Sequence, residues 1–174
     1  MTSHANVFSF CPRCGSSEFL PDSVKSYKCA NCRFHFYINS AAAVAALIFN
    51  HRGEVLLTIR GVDPNKGTLD LPGGFIDSGE SVEEALRREI LEELNLVITD
   101  ASYLTSFPNE YLFSGLVINT TDLAFVCKVN GFDDIRVADD VADYRFVPIE
   151  EIDFSQIFSK SINSILKYYQ TIKR

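Results

Sequence analysis

Three glutamates crowd one short stretch of the chain. Glu89, Glu92 and Glu93 lie at i, i+3 and i+4, so a helix would carry their carboxylates on one face. Like charges at these spacings repel one another and destabilise an isolated helix. A hard divalent cation such as Mg²⁺ prefers oxygen ligands and would offset that repulsion. The spacing therefore predicts a metal site, whereas Glu-Glu or Arg-Arg-Glu alone would indicate a solvated helix face.

The stretch around these glutamates resembles the Nudix box, the signature of hydrolases that act on a nucleoside diphosphate linked to another moiety. Five residues separate a glycine from a glutamate here, and seven more separate that glutamate from an Arg-Glu pair, as in the signature. The residues in register are Gly74, Glu80, Arg88, Glu89, Ile90, Glu92, Glu93 and Leu96. Only the second glycine departs from the signature, because residue 95 is Asn. Asparagine tolerates the left-handed backbone of a helix end, so we expect the helix to stop at Asn95.

The resemblance implies which residues bind metal. Glu89, Glu92 and Glu93 would hold Mg²⁺ or Mn²⁺, and the backbone carbonyl of Gly74 could add a ligand because glycine permits close approach. Glu92 or Glu93 could also be the base that activates water. Acids outside the box are further candidates for the base: Asp139, Asp140, Asp143 and Glu110.

Arg88 and Glu80 complete the catalytic set that the resemblance implies. Arg88 is expected to orient and balance a carboxylate, with Glu84 or Glu92 within reach at i±4. We also expect an Arg88–Glu80 ion pair that ties the preceding loop to the helix. The predicted catalytic residues are therefore Glu80, Arg88, Glu92 and Glu93.

Four of the five cysteines form a second constellation. They stand as two CxxC pairs, Cys11 with Cys14 and Cys29 with Cys32, with fourteen residues between the pairs. This spacing predicts a four-thiolate Zn²⁺ site, and the metal would supply most of the folding energy of so small a segment. Disulfides are the weaker interpretation because the chain looks intracellular, and a redox CxxC is weaker still because two pairs are present.

The two constellations predict two domains: a zinc ribbon at residues 1–38 and a Nudix hydrolase domain at residues 39–174. A zinc ribbon before a Nudix domain is similar to the arrangement in NADH pyrophosphatases. The ribbon could contact a nucleic acid or a protein, but its basic excess is modest, so we expect a structural module.

Hydrophobic patterning predicts the elements that position these residues. Ser81 and Glu84 form a capping box, so the box helix should begin at about Val82. The other predicted elements are strands at Ala43–Phe49 and Val55–Ile59 joined as a hairpin through His51-Arg52-Gly53, strands at Leu69–Ile76, Val97–Phe107 and Leu116–Val129, a short strand ending at Pro148, and an amphipathic helix from Ser155. This order indicates an α/β fold with a mixed sheet between helices, and the resemblance implies the same Nudix-type α/β/α sandwich.

Substrate contacts are expected outside the box. The segment Ser106–Phe113 carries aromatics that could stack on a base, and Phe107 and Tyr111 are its candidates, with ordinary core packing as the alternative. Arg60 ends a strand and could meet a phosphate, with a plain surface charge as the alternative.

The composition limits the partners. The net charge of −7 over 174 residues disfavours a general nucleic-acid binder or a binder of anionic membranes. A nucleotide substrate stays compatible with this charge, because bound cations neutralise a diphosphate locally. The longest apolar run, Ala41–Phe49, is too short to span a bilayer, and no signal peptide is apparent, so we expect a cytoplasmic protein. Nudix domains often dimerise, which makes a homodimer possible.

Together these features predict a metal-dependent pyrophosphohydrolase that cleaves a nucleoside diphosphate linked to another moiety, such as NADH or ADP-ribose. The alternative is a non-catalytic nucleotide sensor whose zinc ribbon binds a partner. The intact glutamates disfavour that alternative, since a pure binder need not keep the catalytic set. A zinc-ribbon nucleic-acid adaptor is disfavoured by the acidic balance of the chain.

Overall fold

The computed structural model describes residues 8–113 and 116–173. The chain divides into two units: Met1–Ser40 with Tyr111–Asn119, and Ala41–Glu110 with Thr120–Arg174. Two long strands therefore contribute residues to both units.

The first unit is built on a three-stranded antiparallel sheet. Its strands are β1 (Phe19–Ser23), β2 (Ser26–Cys29) and β3 (His35–Tyr37), in the order β1-β2-β3. The buried residues of its core are Cys11, Phe19, Tyr27 and Cys29. Apolar packing gives so small a core little stability, and this is the situation in which a bound metal stabilises a fold.

The remaining strands form two further sheets. One has the order β4-β8-β7, in which β4 (Ala41–Ile48) runs parallel to β8 (Leu116–Val129), and β7 (Ile98–Phe113) lies on the other side of β8. The other has the order β6-β5-β9, in which β5 (Glu54–Arg60) is antiparallel to β6 (Leu69–Asp70) and to β9 (Val141–Pro148). Parallel and antiparallel pairings both occur, as the predicted mixed fold requires.

The predicted hairpin between β4 and β5 is wrong. The chain does turn there, and the N–H of Asn50 donates a hydrogen bond to the carbonyl of Glu54 at 3.0 Å. Phe49 and Val55 form one antiparallel bridge, but the two strands then enter different sheets. Each strand forms a longer ladder with another strand: β4 pairs with β8, and β5 pairs with β9. Local turn chemistry sets the reversal, whereas long-range pairing sets the ladders.

Two helices cover opposite faces of β4. Ala46 and Ile48 belong to the hydrophobic cluster of α1 (Val82–Leu94), and Leu47 belongs to the cluster of α2 (Lys160–Ile172). Because successive side chains of a strand point to opposite faces, β4 contributes to both clusters. The result is the predicted α/β/α sandwich.

The strand predicted at Leu69–Ile76 is shorter in the structure. β6 ends at Asp70, and the chain continues into a turn that contains Pro72 and two glycines. Phe75 returns to form a single antiparallel bridge with Ala43 of β4. Proline cannot donate to a strand ladder, which explains why the regular strand stops before the turn.

Both ends of α1 are as predicted. The Ser81 hydroxyl accepts a hydrogen bond from the N–H of Glu84 at 3.3 Å, and the Glu84 carboxylate accepts one from the Ser81 N–H at 2.8 Å. Asn95 ends the helix with a left-handed φ of 55°, and its N–H donates to the Leu91 carbonyl at 2.9 Å.

α2 begins later than predicted, at Lys160 and not near Ser155. The Ser159 hydroxyl caps the helix by accepting a hydrogen bond from the N–H of Ile162 at 3.3 Å. The chain before this cap forms two short 3₁₀ helices, Ile149–Glu151 and Phe154–Gln156. Among the described residues, no helix has the length and apolarity needed to cross a membrane.

Candidate functional site

A glycine turn seats the candidate site on β4. A hydrogen bond of 2.9 Å from the N–H of Val44 to the carbonyl of Gly74 holds the turn, Leu71–Gly74, against β4. Gly73 has a φ of +138°, and a Cβ at this position would lie 2.2 Å from the carbonyl oxygen of Val44. Only glycine permits this backbone conformation and this close approach, so the turn depends on Gly73.

The two glycines of the turn each accommodate one glutamate of α1. The N–H of Gly73 donates a hydrogen bond to Oε2 of Glu93 at 2.9 Å. Gly74 leaves room for the carboxylate of Glu89, which would lie 2.6 Å from a Cβ at residue 74. Glu93 and Glu89 are both buried, with 5% and 9% of their surface exposed. The turn and the helix thus bring two carboxylates into a buried setting.

Arg88 connects the rest of the box. Its Nε and Nη2 donate to the two carboxylate oxygens of Glu80, each at 2.8 Å, which is the predicted ion pair. Its Nη1 donates to Glu89 at 2.7 Å and to Glu92 at 3.2 Å, and its Nη2 also donates to the carbonyl of Phe75 at 3.0 Å. The hydrogen bonds with Glu80 raise the pKa of Arg88 and lower the pKa of Glu80. Arg88 therefore joins the loop, the turn and α1 in one charged network.

The three candidate metal-binding glutamates do not converge on one point. Among the described residues, one carboxylate oxygen taken from each of the three does not give a set within 4.8 Å of one another. Glu89 and Glu93 face the glycine turn, whereas the side chain of Glu92 is 53% exposed. Nη1 of Arg88 donates to both Glu89 and Glu92 and offsets their charges. Helical spacing places the three on one side of α1, and the glycine turn then buries Glu89 and Glu93 but not Glu92.

The buried glutamates have unusual protonation equilibria. The pKa of Glu93 is raised to about 9, mainly by burial and also by the negative charges of Asp140, Glu89 and Asp70, against the hydrogen bond from Gly73. Burial is also the main cause that raises the pKa of Glu89, and the guanidinium of Arg88 opposes it. A charged carboxylate is costly in such a setting unless a cation compensates it.

The donor chemistry fits a hard divalent cation. Glu89, Glu92 and Glu93 offer carboxylate oxygens, the ligands that Mg²⁺ and Mn²⁺ prefer. The carbonyl of Gly74 already accepts a hydrogen bond from Val44, but a carbonyl oxygen carries a second lone pair. Glu89 and Glu93, which flank the glycine turn, are the buried members of this donor set.

Asp70 is a neighbour of this site that the sequence analysis missed. Its negative charge contributes to raising the pKa of Glu93. Burial raises the pKa of Asp70 to about 7, while the guanidinium of Arg60 opposes that change. A single acid between two leucines, directly before the glycine turn, is the signal that could have revealed it. Gly73 was also missed, although it is part of the same turn.

Four acids outside the box were candidates for the base, and two of them raise the pKa values of the buried glutamates. The charge of Asp140 contributes to raising the pKa of Glu93, and the charge of Asp139 contributes to raising that of Glu89. Asp139 also has a left-handed φ of 54°, which is uncommon for a residue other than glycine. The other two acids have contacts elsewhere: Asp143 with the N–H of Tyr144 at 2.8 Å, and Glu110 with Lys160 at 3.1 Å.

The residues predicted to contact substrate lie in different settings. Arg60 forms an ion pair with Asp140, with Nη2 and Oδ2 3.2 Å apart. Phe107 packs against the cluster of α2, where its ring lies 6.4 Å from that of Tyr168. Tyr111 is half-buried and belongs to the first unit. Arg60 and Phe107 are therefore engaged by other residues of the chain.

The four CxxC cysteines come together in the first unit. Their sulfur atoms all lie within 4.8 Å of one another, and the Sγ atoms of Cys11 and Cys32, and of Cys14 and Cys29, are 3.7 Å apart. A tetrahedral Zn²⁺ with Zn–S bonds of about 2.3 Å would separate its ligands by roughly 3.8 Å. A disulfide needs about 2.05 Å between sulfurs, so the geometry is that of a four-thiolate metal site.

Curated relatives resemble part of the chain. Two proteins named NAD-capped RNA hydrolase NudC, from Yersinia pestis (strain Pestoides F) and Yersinia pseudotuberculosis (serotype O:1b, strain IP 31758), are each 33% identical to it over 99 residues. The match covers 57% of this chain and 37% of each relative. The chain therefore spans well under half the length of the curated relatives it matches.

Solved structures and a family model cover more of the chain. A NUDIX hydrolase from Nitrosomonas europaea shares 25% identity, with a TM-score of 0.72 over 94% of this chain and 91% of that one. The NUDIX domain of Shewanella oneidensis NrtR, solved with ADP ribose, has the same fold at 20% identity, with a TM-score of 0.62 over 78% of this chain and 90% of that one. The family model for the NUDIX domain matches residues 39–167, and the chain belongs to this family.

Proposed function

We propose that this chain is a metal-dependent pyrophosphohydrolase. It cleaves the diphosphate of a nucleoside diphosphate linked to another moiety. The observation that carries the proposal is the pair of buried carboxylates at the glycine turn, Glu93 bonded to the Gly73 N–H and Glu89 packed on Gly74. A divalent cation would compensate the charge of these buried acids, and the same cation would bind the phosphates of a substrate.

Glu89, Glu92, Glu93 and the carbonyl of Gly74 are the proposed metal ligands. When bound there, Mg²⁺ or Mn²⁺ would screen phosphate oxygens and lower the pKa of a bound water. Glu92 is the most exposed of the three glutamates, which makes it accessible to an incoming water. Glu92 or Glu93 is the proposed base.

Glu80 and Arg88 are proposed to position this set. A guanidinium bound by both oxygens of Glu80 has little freedom to move. It can therefore fix the orientation of the Glu89 and Glu92 carboxylates. In this role Arg88 contributes geometry and charge balance without touching the substrate.

The proposed substrates are NADH, ADP-ribose or a related nucleotide. The name of the 33% identical relatives, NAD-capped RNA hydrolase, supports a substrate with a nicotinamide adenine dinucleotide moiety. Phe107 and Tyr111 are the proposed contacts for a base. The zinc ribbon at residues 1–38 is proposed to bind Zn²⁺ as a structural module in front of a catalytic domain at residues 39–174.

A turnover assay tests the proposal. The full chain is incubated with Mg²⁺ or Mn²⁺ and a panel of NADH, ADP-ribose, dinucleoside polyphosphates and nucleoside triphosphates, and products are separated by chromatography. We expect release of a nucleoside monophosphate from at least one of the linked diphosphates. Tight nucleotide binding with no turnover on any compound would favour a non-catalytic sensor and reject the enzyme.

A matched pair of variants tests the site itself. Glu93→Gln keeps the size of the side chain and removes its charge, so turnover should fall by roughly 10² or more. Glu83→Gln makes the same change at an exposed position of the same helix and should leave turnover unchanged. Equal activity of the two variants would reject the role of Glu93.

A further inference from the structure

Arg60 points into the chain and not into solvent. It is the last residue of β5, and only 19% of its side chain is exposed. Its Nη2 lies 3.2 Å from Asp140, its Nε donates to the carbonyl of Pro64 at 3.3 Å, and its Nη1 faces Asp70 at 4.0 Å. Each of the three guanidinium nitrogens thus faces an acceptor of the chain, and Asp140 is the nearest acid.

The segment that carries Asp140 is attached at both ends to elements around the site. At one end, the N–H of Ala138 donates to the carbonyl of Glu93 at 3.0 Å. At the other end, the N–H of Gly61 donates to the carbonyl of Asp140 at 2.6 Å, next to Arg60. Residues 138–140 therefore connect the C-terminal part of α1 to the end of β5.

The glycine after Arg60 makes this attachment close. A Cβ at Gly61 would lie 3.0 Å from the carbonyl oxygen of Asp140, so a larger residue would push the segment away. The pairing of β5 with β9 also shifts register between Ile59 and Arg60. The irregular end of β5 thus leaves the Arg60 side chain and the Gly61 N–H both directed at Asp140.

The charges around Arg60 need a cation. Asp70 and Asp140 face its guanidinium, and the N–H of Ala138 ties the segment that carries Asp140 to the backbone of Glu93. Without Arg60, these acids would repel one another, and the segment 138–140 would lose its only side-chain ion pair among the described residues. Its backbone attachments would remain.

We propose that Arg60 is a positioning residue for the candidate metal site: it holds Asp140 and the segment 138–140 beside Glu93, and it does not bind a substrate phosphate. This inference rests on the proposed function in taking Glu89 and Glu93 as the cation site. It replaces the phosphate contact that the sequence suggested for Arg60.

Mn²⁺ binding to the zinc-loaded full chain, measured without nucleotide, distinguishes a positioning role of Arg60 from a phosphate contact. Free Mn²⁺ is followed by electron paramagnetic resonance for the unmodified chain and for Arg60→Ala. Removal of a positive charge alone would strengthen cation binding, so weaker binding in a folded variant indicates lost positioning. We expect the Kd for Mn²⁺ to rise about five- to tenfold in Arg60→Ala, and KM at saturating Mn²⁺ to change less than twofold.

Further variants keep the result interpretable. Arg60→Lys retains the charge and should recover part of the Mn²⁺ affinity. Arg145→Ala removes an equal charge from an exposed position on β9, where the side chain bonds only to Gln156 among the described residues, and should change nothing. If Arg60→Ala does not fold, as judged by thermal melting, Arg60→Gln takes its place, because its amide can still donate one hydrogen bond to Asp140.

The outcomes distinguish this inference from the proposed function. Unchanged or tighter Mn²⁺ binding in Arg60→Ala would overturn the positioning role, and a large rise in KM beside it would restore the phosphate contact. If the unmodified chain binds Mn²⁺ but hydrolyses no nucleotide, the proposed function fails, and the comparison of Mn²⁺ affinities still decides the role of Arg60.

Discussion

The carboxylate of Glu89 occupies the space that a side chain at Gly74 would need. A Cβ built on Gly74 would lie 2.6 Å from both the carboxyl carbon and Oε1 of Glu89. The obstacle is the far end of a flexible side chain and not backbone. A residue larger than glycine would therefore displace the glutamate and leave the turn in place.

Gly74→Ala should separate activity from stability. We expect the free energy of unfolding in urea to change by less than about 1 kcal/mol, because Glu89 can rotate away. Turnover should fall by about tenfold or more, since the displaced carboxylate leaves its seat at the turn. Adding Glu89→Asp shortens the side chain and should restore part of the Mn²⁺ affinity. Full activity of Gly74→Ala would show that the position of Glu89 is unimportant.

Gly73→Ala, in contrast, should destabilise the fold itself. Its Cβ would lie 2.2 Å from the backbone oxygen of Val44, and its φ of +138° is a region that other residues rarely adopt. Backbone cannot rotate away as a side chain can, so we expect a loss of about 2–4 kcal/mol in the free energy of unfolding. Urea denaturation of the two glycine variants side by side checks the contrast. Similar stabilities for both would contradict the account of the turn.

Asp122 should be a major contributor to stability that has no part in turnover. It is buried, and its carboxylate accepts hydrogen bonds from the hydroxyls of Thr120, at 2.6 Å, and Ser161, and from the amide of Asn109, at 3.3 Å. Asp122→Ala leaves two buried hydroxyls and one half-buried amide without this acceptor, so we expect a loss of about 3 kcal/mol or more.

Thr120→Ala serves as the graded control for Asp122. It removes one donor of the three and should cost about 1–2 kcal/mol. Urea unfolding gives both values, and turnover per folded molecule should stay within twofold of the unmodified chain. A neutral Asp122→Ala variant would mean that this network contributes little to the fold.

The capping box should make stability depend on acid pH. Hydrogen bonds from the Ser81 N–H and hydroxyl lower the pKa of Glu84 below its ordinary value. Because the pKa of the folded state is lower, the stabilisation is present above the unfolded pKa of about 4.3 and is lost as pH falls through the folded value. Glu84→Gln keeps an acceptor but does not titrate in this range.

Urea midpoints of the two chains at pH 6 and at pH 3 measure this effect. The unmodified chain should lose more stability on acidification than Glu84→Gln does. Both chains share all other titrating groups, so the difference between them reports Glu84. An identical drop in both would mean that the capping carboxylate does not respond to pH.

The four-thiolate site should bind one Zn²⁺ per chain. Metal analysis of reduced protein tests this directly, and Cys14→Ser should lower the zinc content and expose the first unit to proteolysis. Cys127→Ser is the matched control, since Cys127 is a buried thiol of β8 outside the cluster. Its zinc content should equal that of the unmodified chain. Absence of zinc from freshly purified reduced protein would falsify the site.

Local signals were enough to predict several parts of the site. The capping box at Ser81 and Glu84, the left-handed stop at Asn95 and the Arg88–Glu80 ion pair were all expected and are all present. These features depend on residues within a few helical turns of one another, so spacing along the chain decides them.

Pairings between distant segments could not be read in the same way. The strands β4 and β5 look like a hairpin locally, yet each pairs with a strand far along the chain. Arg60 looked like a surface cation or a phosphate contact, because nothing near it in sequence indicates Asp140. Such contacts depend on how the sheets assemble, and a single sequence carries no local mark of that assembly.

The sequence by itself determined the chemistry of this protein: which carboxylates and thiolates are available, and at what spacing. The tertiary structure alone decided how those groups are used. It buried Glu89 and Glu93 at the glycine turn, left Glu92 exposed beside Arg88, and added Asp70 and Arg60 from β6 and β5. The physical reason is burial, because the cost of a charge and the partner that offsets it depend on surroundings that form only when the chain folds.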